Sequence, residues 1–545
     1  MHDKEFNLLY EPWIKVMKKD GDTTEVSVLD LFRHAHEFQS LAGELPTQNV
    51  AILRLLLAIL HAVFERYDVK GNYSPFTSPD EALTRWQALW EKDCFPMDII
   101  EEYLLHFEDR FYLFHPEHPF YQVPELKKAG FYSAGKLNGL LSESDNKIRL
   151  FPLRAGDSKS VLTYSEAARW LVYVNAFDDV SGSGKGRGET KRAKYELAWL
   201  AKLGLITAEG NDLFETLLLN LIFLKDGSNE LWGNAKPIWE QDVRTKESCS
   251  IPIPDNLAEL YTVQSRRLIL QKQNNMVMGY GLIGGDFFPE ENAFVEQMTV
   301  WANRAKKTDA AKYLPRLHDS SRQLWRDFSA LVSQSETSHR PGIVSWLTRL
   351  RRAGLLSNYI YRFQTAAVKF DSKKMSINDV FSDSLSFSAD LLSNLGDPWI
   401  ERIIDEIAVT EKLVEQVGRL AQNLAQAAGA AEKEGFYQRD LAREQAYFRL
   451  DMPFRRWLQN INPEQDSMND TCNKWWEQEK KIIRSLGREL VNQAGPQAFV
   501  GRVKENEKTN RKYRYSAADA YNQFLYRTSS REALFKKGEG KNGKG

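Results

Sequence analysis

The chain is short of cysteine, of net charge and of long apolar runs. Its three cysteines, Cys94, Cys249 and Cys472, lie far apart with no CxxC pair. That excludes a disulfide framework and a thiolate zinc site, and the thiols fit a reducing cytoplasm. Lys plus Arg total 73 against 74 Asp plus Glu, a formal net charge of −1, so any nucleic-acid contact must come from local patches rather than a global basic field. The most apolar stretch, Ala51 to Phe64, is interrupted by Arg54 and His61 and is shorter than the roughly 20 residues that cross a bilayer. It reads as a buried helix, with no membrane partner. The opening MHDKEFNLLYEPW lacks the basic start and apolar run of a secretory signal, so a cytoplasmic protein is expected.

Sequence signatures of catalysis are also missing. No GxSxG elbow occurs, and Pro116 and Pro119, on both sides of Glu117-His118, prevent the helix that an HExxH zinc site requires. What is present is an apolar fraction of 42% in 545 residues, enough for two to four domains at roughly 100–200 residues each. Phe6–Val16 and Glu25–Val28, around the turn-forming Asp20-Gly21-Asp22, read as two strands of a hairpin. Helical patterns follow at Leu29–His36, Gln48–Arg66 and Ser78–Lys92, and Arg110–Tyr121 reads as strand or loop. Beyond about Asn378 long apolar-periodic segments at Trp399–Gly435, Arg439–Ile461, Thr471–Ala494 and Lys512–Thr528 suggest a four-helix bundle, with a bend at Pro453. The expected class is mainly α (α+β): a large mixed domain with small β elements over 1–377, the bundle over 378–528, and a disordered basic tail over 529–545.

The most unusual composition is Ser181–Gly188, with glycine at every second position and Lys191, Arg192 and Lys194 close behind. Glycines let backbone N–H groups approach a phosphate or a groove floor, and the cations add attraction, which suits nucleic acid. A nucleotide P-loop does not fit, because Asp179 stands at the first glycine of GxxxxGK(S/T) and Gly186 follows Lys185. The dinucleotide fingerprint fails at Arg187 or Glu189. A flexible surface linker is the plainer reading of the same composition. His318-Asp319 is the only pair that suggests a metal-dependent phosphohydrolase or nuclease, against a capping or surface role. Trp475, Trp476, Trp457, Tyr447 and Phe448 alternate with Arg443, Arg449, Arg455, Arg456 and Lys474, which reads as bundle core with a solvated cationic face, or else as a basic surface for DNA or a partner.

The opening segment Phe6-Asn-Leu-Leu-Tyr-Glu-Pro-Trp-Ile-Lys-Val16, the segment Arg110–Gln122 (RFYLFHPEHPFYQ), the glycine loop and the C-terminal helices come in one order. Over the whole chain that order resembles the CasA family, the large subunit of the type I-E CRISPR Cascade. The resemblance implies a non-catalytic subunit without cofactor or metal. Its implied partners are the guide RNA 5′ handle, double-stranded target DNA, other Cascade subunits and a recruited helicase-nuclease. It implies that Gly182, Gly184, Lys185, Gly186, Arg187 and Gly188 read the protospacer-adjacent motif. Gln364, after Tyr361-Arg362, is implied as the wedge that opens the duplex, with Phe363 as its stacking partner. Lys136, Lys147, Arg149, Lys191 and Arg192 are regional candidates for guide RNA or DNA backbone. The family's minor-groove lysine has no counterpart between Gly281 and Trp301, which hold no Lys or Arg; Lys306 and Lys307 follow downstream. A metal-dependent enzyme and a scaffold whose glycine loop is only a linker are the competing readings.

Overall fold

In the computed structural model the described residues are 5–128, 131–137, 160–179, 196–247, 249–305, 310, 312–333, 338–370, 377–505 and 512–535. The chain divides into two compact units, Met1–Leu356 with Tyr361–Leu385, and Ser357–Ile360 with Ser386–Gly545.

The first unit opens with β1 (Glu5–Asn7), β2 (Ile14–Lys18), β3 (Thr23–Val26), α1 (Val28–Arg33) and β4 (Phe38–Leu41). The expected hairpin is found between β2 and β3 around Gly21, whose φ of +93° suits glycine. Glu5–Asn7, however, is a separate strand: β1 pairs with β5 (Tyr112–Phe114). The bend between β1 and β2 is held by Trp13, fully buried, whose indole N–H donates to the Leu8 carbonyl at 3.0 Å.

Helices α2 (Pro46–Phe64), α3 (Pro79–Trp90) and α4 (Met97–His106) follow. By length and composition α2 could cross a membrane, but it is buried inside this unit, packed on α6 (Tyr164–Phe177) and α8 (Leu257–Tyr261). Its two polar interruptions find carboxylate partners inside the unit, although Arg54 Nε and His61 Nε2 make no hydrogen bond among the described residues. Arg54 makes a two-pronged bond to Glu296 at 2.8 and 2.9 Å, and His61 reaches Glu65 at 2.7 Å. α6 begins with a capping box in which Thr163 and Glu166 each bond the other's backbone N–H.

The remaining elements of this unit are short, apart from two hairpins and α10. They are β6 (Phe131–Ser133), α5 (Ala134–Leu137), β7 (Thr207–Glu209), α7 (Leu213–Leu219), β8 (Cys249–Ser250), β9 (Arg266–Gln273), β10 (Met276–Gly284), β11 (Asp286–Phe287), β12 (Trp301–Asn303), β13 (Tyr313–Pro315), α9 (Phe328–Val332), α10 (Gly342–Arg352), β14 (Ile360–Phe370) and β15 (Ile377–Ser388). The small sheets order as β6-β10-β9 and β15-β14-β7. The boundary expected at 377/378 falls at the first residue of β15, and the division lies further along that strand at Leu385/Ser386. Helical periodicity marks where the bundle begins, whereas β15 pairs with β14.

The second unit contains α11 (Asp397–Ala428), α12 (Glu432–Gln459), α13 (Met468–Gln493) and α15 (Ala517–Arg527), with the small α14 (Pro496–Val500) and the hairpin β16 (Arg502–Glu505)–β17 (Lys512–Tyr515) between the last two. α11 ends on Gly429 at φ +100°, where an added Cβ would collide with the Arg502 guanidinium. α12 is continuous and carries Pro453 inside it; the fully buried Phe454 packs edge-on to Trp475, and Arg449 is tied to Glu489 at 2.6 Å. One expectation is corrected here, the tail disordered from 529: Arg531–Phe535 forms α16, because Arg531 bonds the buried Glu406 at 2.5 Å and the Cys472 carbonyl at 3.0 Å while Ala533 and Leu534 are buried.

Candidate nucleic-acid interface

The glycine loop, Gly182, Gly184, Lys185, Gly186, Arg187 and Gly188, lies outside the described residues, as do Lys191 and Arg192. Both ends of its root are described. α6 stops at Phe177, and Asp178 turns extended while its N–H still bonds the Val174 carbonyl. The returning chain meets it at once, Ala198 N–H donating to the Asp178 carbonyl at 3.0 Å. Between the two ends lies the guanidinium of Arg266, the first residue of β9 and only 2% exposed. Its Nε donates to Asp178 Oδ2 at 2.5 Å. Its Nη2 faces the carbonyls of Asp178, Asp179 and Glu196 at 3.3, 3.0 and 2.7 Å, and Nη1 donates to the Ser265 carbonyl at 2.8 Å.

Gln364 and Phe363 sit on β14, whose register places Gln364 opposite Thr207 and Arg362 opposite Glu209. Strand alternation then separates the two candidates. Gln364 is exposed, and its amide donates to Glu209 Oε2 at 2.7 Å. Phe363 is fully buried and packs near the Tyr361 ring. Its expected role as a stacking partner is therefore corrected, because the residue is a core contact of the same strand. Beside Gln364 opens a cavity of about 470 Å³ bordered by Glu209, Thr207, Ser382, Asn49 and Thr365. Among the described residues no lysine or arginine lines it, so those residues offer hydrogen-bond acceptors and hydroxyls rather than a phosphate cradle.

The other candidates are scattered. Lys136 lies in the short α5, while Lys147, Arg149, Lys306 and Lys307 are outside the described residues. The His318 ring bonds the Leu205 carbonyl at 3.1 Å, and burial pushes its pKa below the usual histidine value. Asp319 accepts from the Ser321 N–H and hydroxyl at 2.9 and 2.7 Å, bonds that hold its carboxyl below the ordinary range. The pair thus builds a turn, and no group of three His, Cys, Asp or Glu residues that could hold a metal occurs among the described residues. In the bundle Trp475, Trp476 and Tyr447 are core, but Phe448 is 81% exposed and departs from the core reading.

One surface was not singled out from the sequence. The β9–β10 hairpin turns on Asn274 and Asn275, both at positive φ, and exposes Gln271, Lys272, Gln273 and both asparagines. Four amides and a lysine are residue types that bond phosphates and base edges. Lys272 itself is held by Glu5 at 2.7 Å and lies over the Phe114 ring. The Asn-Asn step between alternating strands was the legible signal.

A family model described as CRISPR-associated protein Cse1 matches residues 7–492. A CRISPR-associated protein CasA/Cse1 of Thermus thermophilus is 32% identical over 342 residues, which is 60% of this chain and 60% of that relative's length. The crystal structure of Thermobifida fusca Cse1 superposes with a TM-score of 0.81 at 31% identity, covering 97% of this chain and 98% of that one. A chain of a CRISPR RNA-guided surveillance complex shares the fold, with a TM-score of 0.63 at 16% identity over 89% of this chain and 99% of that one.

Proposed function

This chain belongs to the CRISPR-associated Cse1 (CasA) family, and from that premise we propose that it is the non-catalytic large subunit of a cytoplasmic RNA-guided surveillance complex. In this reading it recognises the protospacer-adjacent motif in double-stranded DNA, starts the unwinding that leads to an R-loop, and helps recruit the helicase-nuclease. Its other partners are the remaining subunits and the guide RNA 5′ handle, with Lys136, Lys147 and Arg149 as regional backbone contacts.

The observation that carries the reading is Gln364: a polar side chain on the exposed face of a paired strand, its amide aimed by Glu209. A planar amide on a rigid strand can enter a base step and take the place of a stacked partner, at the cost of a few kcal/mol of unstacking. The glycine loop complements it, since a chain without Cβ atoms can lie close to a groove floor while Lys185, Arg187, Lys191 and Arg192 neutralise phosphates. Sequence beyond the motif is then read by pairing with the guide rather than by protein.

The test is reconstitution. The protein is added to a guide-loaded core complex lacking its large subunit, and binding to duplexes with correct and scrambled flanks is measured at one salt concentration. Gly184→Val should reduce binding of motif-bearing duplex by about tenfold or more, the size of one lost base-reading contact, and spare a pre-opened target. Gln364→Ala should slow strand separation while leaving initial duplex contact intact. Binding indifferent to protein, flank and loop would remove this reading.

A further inference from the structure

The root of the glycine loop, part-buried on both sides, is built in a way that a simple meeting of two chain ends does not require. Two chain ends that merely had to meet are already joined by the Ala198–Asp178 backbone bond. Arg266 adds a buried cation there, and burying a guanidinium is costly unless its donors are used. They are: Asp178 Oδ2, the Ser265 carbonyl and three further main-chain carbonyls, drawn from both ends of the root, accept from it. Asp179 extends the knot. Its carbonyl accepts from Arg266 at 3.0 Å, and its carboxylate Oδ2 accepts from the N–H of Ile377 at 2.9 Å. Ile377 is the first residue of β15, the strand beside β14, which presents Gln364.

We propose that Arg266 is a positioning residue for target recognition: together with Asp179 it holds the root of segment 180–195 in fixed register with the β14–β15 sheet that carries Gln364. The inference rests on the reading that the glycine loop senses the flank. Its physical content is that reading and wedging share one rigid origin. A groove contact at the loop therefore fixes where Gln364 meets the duplex, and that register, unlike affinity for an open strand, depends on Arg266. Lysine is no equivalent, since a single ammonium cannot span carbonyls on both sides of the root as a planar fork does.

The experiment uses the reconstituted complex and reads the ratio of binding to correct and scrambled flanks, beside binding to a pre-opened target. Arg266→Met should lower the ratio by about tenfold with the pre-opened target little changed, and Arg266→Lys should recover only part. Asp179→Ala keeps the main-chain carbonyl and removes the acceptor for Ile377. It should lower the ratio by a smaller factor, and it serves if Arg266→Met fails to fold. An unchanged ratio in Arg266→Lys and Asp179→Ala, or a loss equal on both targets, would overturn the proposal. Gly184→Val separates the two levels. If it lowers the ratio and the root variants do not, the positioning role fails alone; if Gly184→Val has no effect on the ratio, the loop reading fails and the inference with it.

Discussion

The two units bury charge for different ends. In the first, buried arginines also pair with carboxylates, as Arg54 does with Glu296, but several of them reach in addition for main-chain carbonyls that regular structure leaves open. Arg85 donates to the carbonyls of Phe64, Tyr67 and Ser74, Arg169 to that of Trp13, Arg267 to those of Thr245 and Gln264, and Arg266 to the root of the glycine loop. In the second, long helices satisfy their own carbonyls, and the buried charge is chiefly side chain to side chain: Glu406 receives Arg402 at 2.8 Å and Arg531 at 2.5 Å. An irregular chain must find donors far away in sequence, and arginine, with five N–H groups in a rigid fork, reaches several acceptors at once. The unit with the irregular backbone also holds the proposed DNA-reading elements, and its pins tie down described backbone such as the residues on either side of segment 180–195.

The largest way to break this contrast is Arg85→Met. It strands three carbonyls at a residue only 8% exposed, and the expected loss is about 3–5 kcal/mol, from about 1–3 kcal/mol for each buried acceptor left unsatisfied. Urea unfolding with hydrogen exchange on α2 and α3 reads it; a change under 1 kcal/mol would mean that water replaces the guanidinium and that the pins are dispensable.

Arg531→Met is the matching change in the bundle and should cost less, about 1–2 kcal/mol, because Glu406 keeps Arg402. It should act locally, with faster hydrogen exchange in α16 and little change in α12. Global loss of the bundle would contradict the view that α16 is an added clip on helices that stand without it.

Much of this division was legible in the residues. The apolar period gave α2, α11, α12 and α13, and the Thr163-x-x-Glu166 pattern marks the start of α6. Local chemistry decides such elements. What escaped depends on partners distant in sequence. α16 exists because Arg531 finds Glu406, 125 positions away, and β14 faces as it does because β7, some 155 positions earlier, pairs with it. The separation of Phe363 from Gln364 was readable in principle: Tyr361, Phe363 and Thr365 alternate with Arg362 and Gln364, and a strand must send the two sets to opposite faces. The two segments that carried the family resemblance, near Phe6 and near Tyr112, prove to be partners in one small sheet. Their pairing register could not be read from either alone.

The smallest effect expected sharpens the contrast from the other side, because it should be a gain. Glu479 is fully buried in the bundle. Its Oε2 accepts from the Thr410 hydroxyl at 2.5 Å, while Oε1 has no partner among the described residues. Burial first, with the charge of Glu406 adding to it, holds its carboxyl well above the usual range, against the pull of the Thr410 bond. A carboxyl whose pKa is raised on folding contributes stability below its unfolded pKa, and that contribution is lost as pH rises through the folded value. Glu479→Gln keeps an acceptor for Thr410 and removes the titration. At pH 8 the variant should melt about 2–4 °C higher, the shift that 1 kcal/mol produces in a unit of 150–250 residues, and the difference should close as pH falls toward 5. A variant that melts lower at pH 8 would mean that Glu479 is ionised and paired in the fold, and the bundle would then use buried charge to hold itself together much as the first unit does.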